Sequence, residues 1–513
     1  MPLGFNRGGP PYAPGAMSAE KRKLVLGASW SLASTIVALG VGVIFNPVLV
    51  FYLGVGGYGV WASAIAIASL FGLGGDLGVA SALTKFIAER QGLNQGMESL
   101  VGSALIFGIF AGIAAGVGLA LLAFFIGQDM AFNRFTLLLQ LQAIQMPLNL
   151  GASSLLAVLQ GRREFRSLAF FTMTQSVSNL LVSFVLLALG FGIPGVMIGA
   201  LATSAAVLLG LVLSARANLR FTGFNALGKD FRQLLPFGLN ITATNALSTL
   251  LYSVDLVALS ILVRAPTIVG AYALAVFITR ALWILPTSIS ATTYPVISEY
   301  SAAANHERVS KYLTTALSVS VALTGILSLS LILFGRPLIR LVFGADAGPA
   351  YDFALILLPG TAILGSLRSV APSLAAVGRP DVGLRISALG AGTLSILAWV
   401  SASGSGGTRV AVSVSAVFLM VSIVLLWALN HYILYDERGL LASRNVTITA
   451  GLAIAAGAVS VVIALPLEFD ATRFFIGASF WILTGLAIAW ASGGWETWGT
   501  FFQKSNKVQF DRS

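Results

Sequence analysis

Four charged side chains fall inside stretches that otherwise read as lipid-soluble. Asp255 lies in PFGLNITATNALSTLLYSVDLVALSILV, and Arg280 lies in the following run, AYALAVFITRALWILPTSISATTYPVISEY. Arg368 falls in the apolar segment 352–377, and Asp76 follows Gly72, Gly74 and Gly75 in FGLGGDLG. A charge at a bilayer centre costs about 2.5–3.5 kcal/mol even on the mildest scales, so such groups face a bundle interior or a wet cavity. At 1.5 Å per residue, Arg280 is ~16 Å and Asp255 ~12 Å from the outer ends of their helices, depths that permit a pair. Arg368 is ~14 Å from the inner end of its helix by the same measure. A guanidinium stays charged when desolvated and grips anionic oxygens with two parallel donors. A carboxylate beside unwound, glycine-rich backbone suits a proton or Na⁺. Ionisable groups at depth are the mark of a transporter.

Neutral polar residues accompany them: Asn46, Gln140, Gln142, Gln145, Asn149, Gln175, Asn179, Asn240 and Asn245. Gln142, Gln145 and Asn149 are spaced three and then four apart, so they share one helix face, whereas Gln140 lies off it. Two readings stand for all nine. They line a polar path, or they bind helices together through hydrogen bonds worth about 0.6–2 kcal/mol each.

The elements that must position these groups are membrane spans. Of 513 residues, 57% are hydrophobic and only 10% charged, and no polar stretch is long enough for a separate soluble domain. There are no cysteines and two histidines, His306 and His431, which removes thiolate chemistry and argues against a histidine-built metal site. No cofactor is expected beyond a coupling H⁺ or Na⁺, and the chain does not read as an enzyme. With ~20 apolar residues per span, fourteen helices are expected: 25–52, 58–85, 100–126, 134–160, 167–190, 193–215, 236–263, 269–298, 312–335, 352–377, 384–404, 408–433, 446–465 and 472–492. The second, broken by FGLGGDLG, and the eleventh, which runs into SASGSGG, are the least regular.

The net charge of +11 comes from basic residues scattered through short loops, so it points to topology rather than nucleic acid. Placing both termini in the cytoplasm puts 22 of the 30 Lys and Arg residues inside and six outside. A repeat is also visible. Val55-Gly56-Gly57-Tyr58 aligns with Val269-Gly270-Ala271-Tyr272, Ala104-Leu105 with Ala316-Leu317, and SLLAVLQGR (154–162) with SLAAVGR (373–379). Helices 1–6 and 7–12 therefore read as two copies of one unit, parallel because six is even. The expected fold is all-α, with two six-helix lobes around a central cavity and two extra C-terminal helices. The segments are 1–24 (disordered cytoplasmic tail), 25–220 (N-lobe), 221–435 (C-lobe), 436–492 (helices 13 and 14) and 493–513 (cytoplasmic tail).

GVGGYGVWA, then Gly-Asp-Leu-Gly (75–78) with ALTKFIAER, then SLLAVLQGRREF, and VGAYALA…LPTSISATTYPVISEY in the second half occur in a telling order. This resembles the polysaccharide-transporter branch of the multidrug/oligosaccharidyl-lipid/polysaccharide exporter superfamily, over roughly residues 20–440. The resemblance implies two lobes in a V and alternating access. The implied substrate is an undecaprenyl-diphosphate-linked oligosaccharide of the O-antigen or exopolysaccharide kind, moved to the outer leaflet of a bacterial cytoplasmic membrane. It further implies a monomer that works beside polysaccharide polymerase and export machinery. Under it, Arg280, Arg368, Asp255, Gln142 and Asn245 become candidate substrate contacts, and Asp76 and Asp255 candidate coupling sites. The alternative for Arg280 and Asp255 is a buried pair that only joins helices 7 and 8, and for Asp76 a carboxylate satisfied at a kink. The peptidoglycan-precursor flippases of this superfamily carry further arginines on helices 1 and 2. This chain has none in its first span and Asp76 in its second, which favours a surface glycan. Competing readings are a drug antiporter of the same superfamily and, less well supported, a membrane glycan polymerase or ligase.

Overall fold

The structure, a computed structural model, describes residues 14–76, 78–92, 98–126, 135–215, 224–403, 407–434, 444–464 and 471–492. Among the described residues every regular element is helical. In chain order these are α1 (Pro14–Asp76), α2 (Val79–Gly92), α3 (Glu98–Ile126), α4 (Phe135–Gly161), α5 (Phe165–Ala188), α6 (Gly192–Ala215), α7 (Phe224–Leu262) and α8 (Pro266–Ala281). They continue with α9 (Ile284–Ala302), α10 (His306–Phe343), α11 (Gly348–Leu367), α12 (Ser373–Ala376), α13 (Pro380–Ala402), α14 (Gly407–Leu429), α15 (Arg444–Ala464) and α16 (Ala471–Ala491). Nine of the described helices are long and apolar enough to cross a membrane, or ten if the bent pair α8 and α9 is one span. The chain is thus a multi-pass membrane protein. Large apolar side chains such as Phe51, Leu341 and Trp490 stand exposed along these helices, as a hydrocarbon surround requires.

The tally differs from fourteen for identifiable reasons. α1 carries the first expected span and most of the second, parted at Gly54 alone (φ 69°, ψ 170°) rather than by a multi-residue turn. α4 is diluted by its glutamines and asparagine, and the described apolar parts of α15 and α16 are short, Val446–Ser460 and Gly477–Ala491. The break expected at FGLGGDLG is present: α1 ends at Asp76, α2 starts at Val79, and Gly78 holds φ +66°. Pro14–Leu24, read from sequence as tail, belong to α1, while residues 1–13 and 493–513 lie outside the described residues.

Two expected helices are interrupted: the eighth, where Pro286 and Pro295 already allow a bend, and the tenth, which the sequence reading ran straight. The eighth bends by 40° between α8 and α9. Pro286, in the first turn of α9, has no N–H to return to the Leu282 carbonyl. The tenth ends at Leu367 and resumes only as α12, with Pro372 immediately before it.

The chain forms two compact units. The first comprises Met1–Val48, Phe71–Ala123 and Leu137–Thr242; the second comprises Leu49–Leu70, Phe124–Thr136 and Ala243–Ser513. In the first, α3 and α4 pack backbone to backbone. Gly108, Gly112 and Gly116 form a stripe with a four-residue period. A Cβ on Gly112 would come within 2.3 Å of Pro147 Cα, and one on Gly116 within 2.4 Å of the Ala143 carbonyl oxygen. In the second unit α1 and α8 meet backbone to backbone: a Cβ on Gly59 would sit 2.5 Å from the Gly270 nitrogen. Close by, Ser260 donates to Ser63 Oγ at 2.7 Å. α11 lies against α8, α10 and α14, and the core around it includes Tyr272, Trp283 and Phe418.

Candidate functional site

The second unit gathers Asp255, Arg280 and Arg368 into one cluster, and the helix breaks do the positioning. Arg280 occupies the last turn of α8 and Arg368 the residue that ends α11. Each guanidinium thus sits at a helix C-terminus, where the helix dipole favours a cation. Both point at the same two rings. The Arg368 guanidinium carbon lies 4.7 Å from the Trp283 ring centre and 5.4 Å from that of Tyr252; for Arg280 the distances are 5.7 Å and 5.8 Å. Arg368 Nη1 also donates to Tyr252 Oη at 2.9 Å. Such contacts hold a cation by the negative faces of the rings without neutralising it.

Trp283 is fixed in turn. It lies in the break between α8 and α9 and donates its Nε1–H to the Thr361 carbonyl of α11 at 2.8 Å. It fits only because residue 365 is glycine, since a Cβ there would lie 2.5 Å from Trp283 Cδ1. Tyr252, Trp283 and Phe418 pack at centroid distances of 5.2–6.2 Å and wall the cluster.

Asp255 is buried at 1% exposure, while Arg280 keeps 24% of its side chain exposed. Their closest approach, Arg280 Nη2 to Asp255 Oδ2, is 3.9 Å, beyond hydrogen-bond reach. The strong partner of Asp255 is Tyr272, fully buried, whose hydroxyl donates to the same Oδ2 at 2.6 Å. Asp255 Oδ1 and Arg368 Nε are buried with no hydrogen-bond partner. The cluster therefore holds two cations and one acid, joined by electrostatics rather than by a closed salt bridge. Tyr252, Tyr272 and Trp283 were not singled out from the sequence. A signal existed: Tyr252 precedes Asp255, and Trp283 follows Arg280, by three residues, the spacing of neighbours on a helix surface. Asn245 is exposed and lies seven residues before Tyr252, two turns away on the same face of α7. The structure does not bring it into the cluster.

The neutral residues divide. Gln145, Asn149, Gln175 and Asn179 line a cavity of about 630 Å³ inside the first unit, walled by α2, α4, α5 and α6. Gln142 does not belong to that wall; its Nε2 is buried 2.9 Å from Met197 Sδ of α6, a helix-joining contact. Asn46 Nδ2 donates to the Gly42 carbonyl of its own helix, and Gln140 is exposed. The side chains of Asp76 and Asn240 lie outside the described residues. A second cavity, of about 600 Å³ and almost wholly apolar, lies in the second unit among α10, α11, α14 and α15. No group of three or more potential metal ligands occurs among the described residues.

The sequence matches the family described as "Polysaccharide biosynthesis protein" over residues 24–301, more than half of its length. The chain belongs to the polysaccharide biosynthesis protein family. A second family, MatE, matches over residues 241–400. Together these bear out the resemblance read from the motifs, and solved structures agree on the fold. The lipid II flippase MurJ in an inward closed conformation superposes with a TM-score of 0.66 at 18% identity, covering 94% of this chain and 99% of that one. An inward-facing multidrug-resistance MATE transporter gives 0.57 at 17%, covering 76% and 96%. The Vibrio cholerae MATE transporter VcmN gives 0.52 at 14%, covering 82% and 99%. No curated protein matches the sequence. This member of the polysaccharide biosynthesis family thus has the fold of those transporters, and its arginine–aromatic cluster is built on the broken helices of the second unit.

Proposed function

We propose that this chain is a flippase that carries an undecaprenyl-diphosphate-linked oligosaccharide across the bacterial cytoplasmic membrane for surface-polysaccharide synthesis. In this reading two parallel six-helix lobes enclose a central cavity and alternate in access, with both termini cytoplasmic. The observation that carries it is the convergence of Arg280 and Arg368 on one pair of aromatic rings, with a single carboxylate, Asp255, 3.9 Å from Arg280. An excess cation held partly open inside a membrane protein calls for an anion, and a diphosphate presents the oxygens that guanidinium forks match. The apolar cavity beside α15 supports the same reading, because a prenyl tail needs an apolar path while its head stays wet. Asp255, with one buried oxygen unpartnered, is the proposed carrier of a coupling proton, and Asp76 the second candidate.

A drug antiporter is the competing reading, favoured by the MatE match over residues 241–400. Against it stands the sign of the site, since a cationic drug would meet two arginines. The test is translocation of labelled undecaprenyl-diphosphate oligosaccharide in vesicles holding the purified chain. Wild type should move it and Arg280→Ala should not, while inserting to the same level. Transport of a cationic dye without lipid movement would transfer the assignment to the antiporter. Restoration of activity by exchanging the charges of Arg280 and Asp255 would make the pair structural.

A further inference from the structure

The cavity of the first unit is polar without being charged. Its described lining includes neither an ionisable nor an aromatic side chain. Instead α4 supplies Gln145 and Asn149, and α5 supplies Gln175 and Asn179, each pair four residues apart and so on one helix face. α6 closes the wall with Thr203 and Ser204. Of these, Gln145 Nε2 donates to Ser204 Oγ at 3.1 Å. Asn149 Oδ1 and Thr203 Oγ1 are buried with no hydrogen-bond partner. Buried polar oxygens are rarely left so, and both residues belong to the lining of this cavity, one on α4 and one on α6, where a bound polar group would give them a donor.

The chemistry of the lining narrows what that donor is. An ion entering an uncharged cavity in a low-dielectric bundle would go uncompensated, which excludes a phosphate or a cationic drug as the favoured occupant. An aromatic ligand would find no ring to stack on. Amides and hydroxyls offer donors and acceptors side by side, the complement of a molecule that carries both on every carbon. The volume of about 630 Å³ falls in the ~300–1,000 Å³ range of sites that enclose small molecules.

We infer that this cavity binds uncharged sugar units. Resting on the flippase reading, this is the glycan-head site, lined by residues other than those of the diphosphate site. Sugar recognition then comes from α4, α5 and α6, and charge recognition from α8 and α11.

The first arm of the test needs no lipid substrate. Saturation-transfer NMR is recorded on the full chain in lipid nanodiscs, free of sugar-based detergent, with the neutral trisaccharide raffinose as probe. Wild type should transfer saturation to raffinose, and Asn149→Leu and Gln175→Leu should each weaken that signal several-fold. Thr203→Val keeps the side-chain shape, so it decides the matter should the leucine variants fail to insert. Absence of transfer in wild type, or equal transfer in wild type and inserted variants, would overturn the inference. The second arm compares vesicle translocation of undecaprenyl diphosphate bearing one sugar with that bearing a longer neutral glycan. The cavity variants should slow the longer substrate several-fold more than the shorter, whereas Arg280→Ala should abolish both. Equal slowing of both by the cavity variants would count against a sugar site. If wild type moves neither lipid, the flippase reading fails, and the raffinose arm still decides the cavity's ligand class.

Discussion

The arginine cluster of the second unit and the amide cavity of the first are both polar inclusions among apolar helices, yet they are built differently. In the cluster every charge leans on another helix: Arg368 of α11 on Tyr252 of α7, and Asp255 of α7 on Tyr272 of α8. Two of the contributing helices are broken at the site itself. In the cavity, α4 and α5 run through without a break and present amides at a four-residue spacing. The reason lies in what each group needs. A buried charge must be met by partners at set distances, and ending a helix beside it supplies a dipole and freedom of approach. A neutral amide needs only donors and acceptors, which a helix face, a neighbouring hydroxyl or a water provides.

This contrast can be broken most directly at the arginines. Arg368→Ala should cut translocation of the lipid-linked substrate on the order of 10- to 100-fold, the equivalent of losing one hydrogen bond to a charged group. Arg368→Lys should restore little, because an ammonium has neither the flat face that lies on Trp283 nor the paired donors. Vesicle translocation rates check both, and full activity in the lysine variant would mean that charge alone suffices.

Next in size is the support of Asp255. Tyr272→Phe removes the one short hydrogen bond on a buried carboxylate, a loss of about 1.5–3 kcal/mol. Thermal unfolding of the purified variant in nanodiscs should register it, and an unchanged midpoint would show that Arg280 moves in to replace the hydroxyl.

Gly365→Ala follows, with a cost of about 1–3 kcal/mol from overpacking. The new methyl would push Trp283 off α11 and weaken its bond to Thr361, so tryptophan fluorescence should shift together with stability. Smallest of all, Gln145→Leu in the first unit removes a single amide–hydroxyl bond to Ser204, worth about 0.6 kcal/mol and at most about 1.7. A larger loss of stability there would erase the distinction between the two regions and make the cavity wall a structural brace.

How much could be seen in advance varies residue by residue. Asp255 and Arg280 announce themselves as charges inside apolar runs, and their neighbouring depths already permitted a pair. The break at FGLGGDLG is legible from its glycines, which the helix needs at φ +66° on Gly78. The bend after Arg280 is legible from Pro286, but the interruption at Arg368 was missed, because hydropathy runs smoothly across it and only Pro372 hints at it. Gln142 and Gln145 read alike by face, yet one rests on a methionine and the other opens on the cavity.

The amino-acid order alone determined that the chain lives in a bilayer and which ionisable groups fall within its apolar runs, since lipid solubility and the helical period are properties of local sequence. Only the tertiary structure decided that Arg368 joins Arg280 over a shared pair of rings and that Tyr272 holds Asp255. It alone also gathered four amides of the first unit around one cavity. Residues 116 positions apart, as Arg368 and Tyr252 are, become neighbours through the packing of whole helices, which no periodicity within one helix encodes.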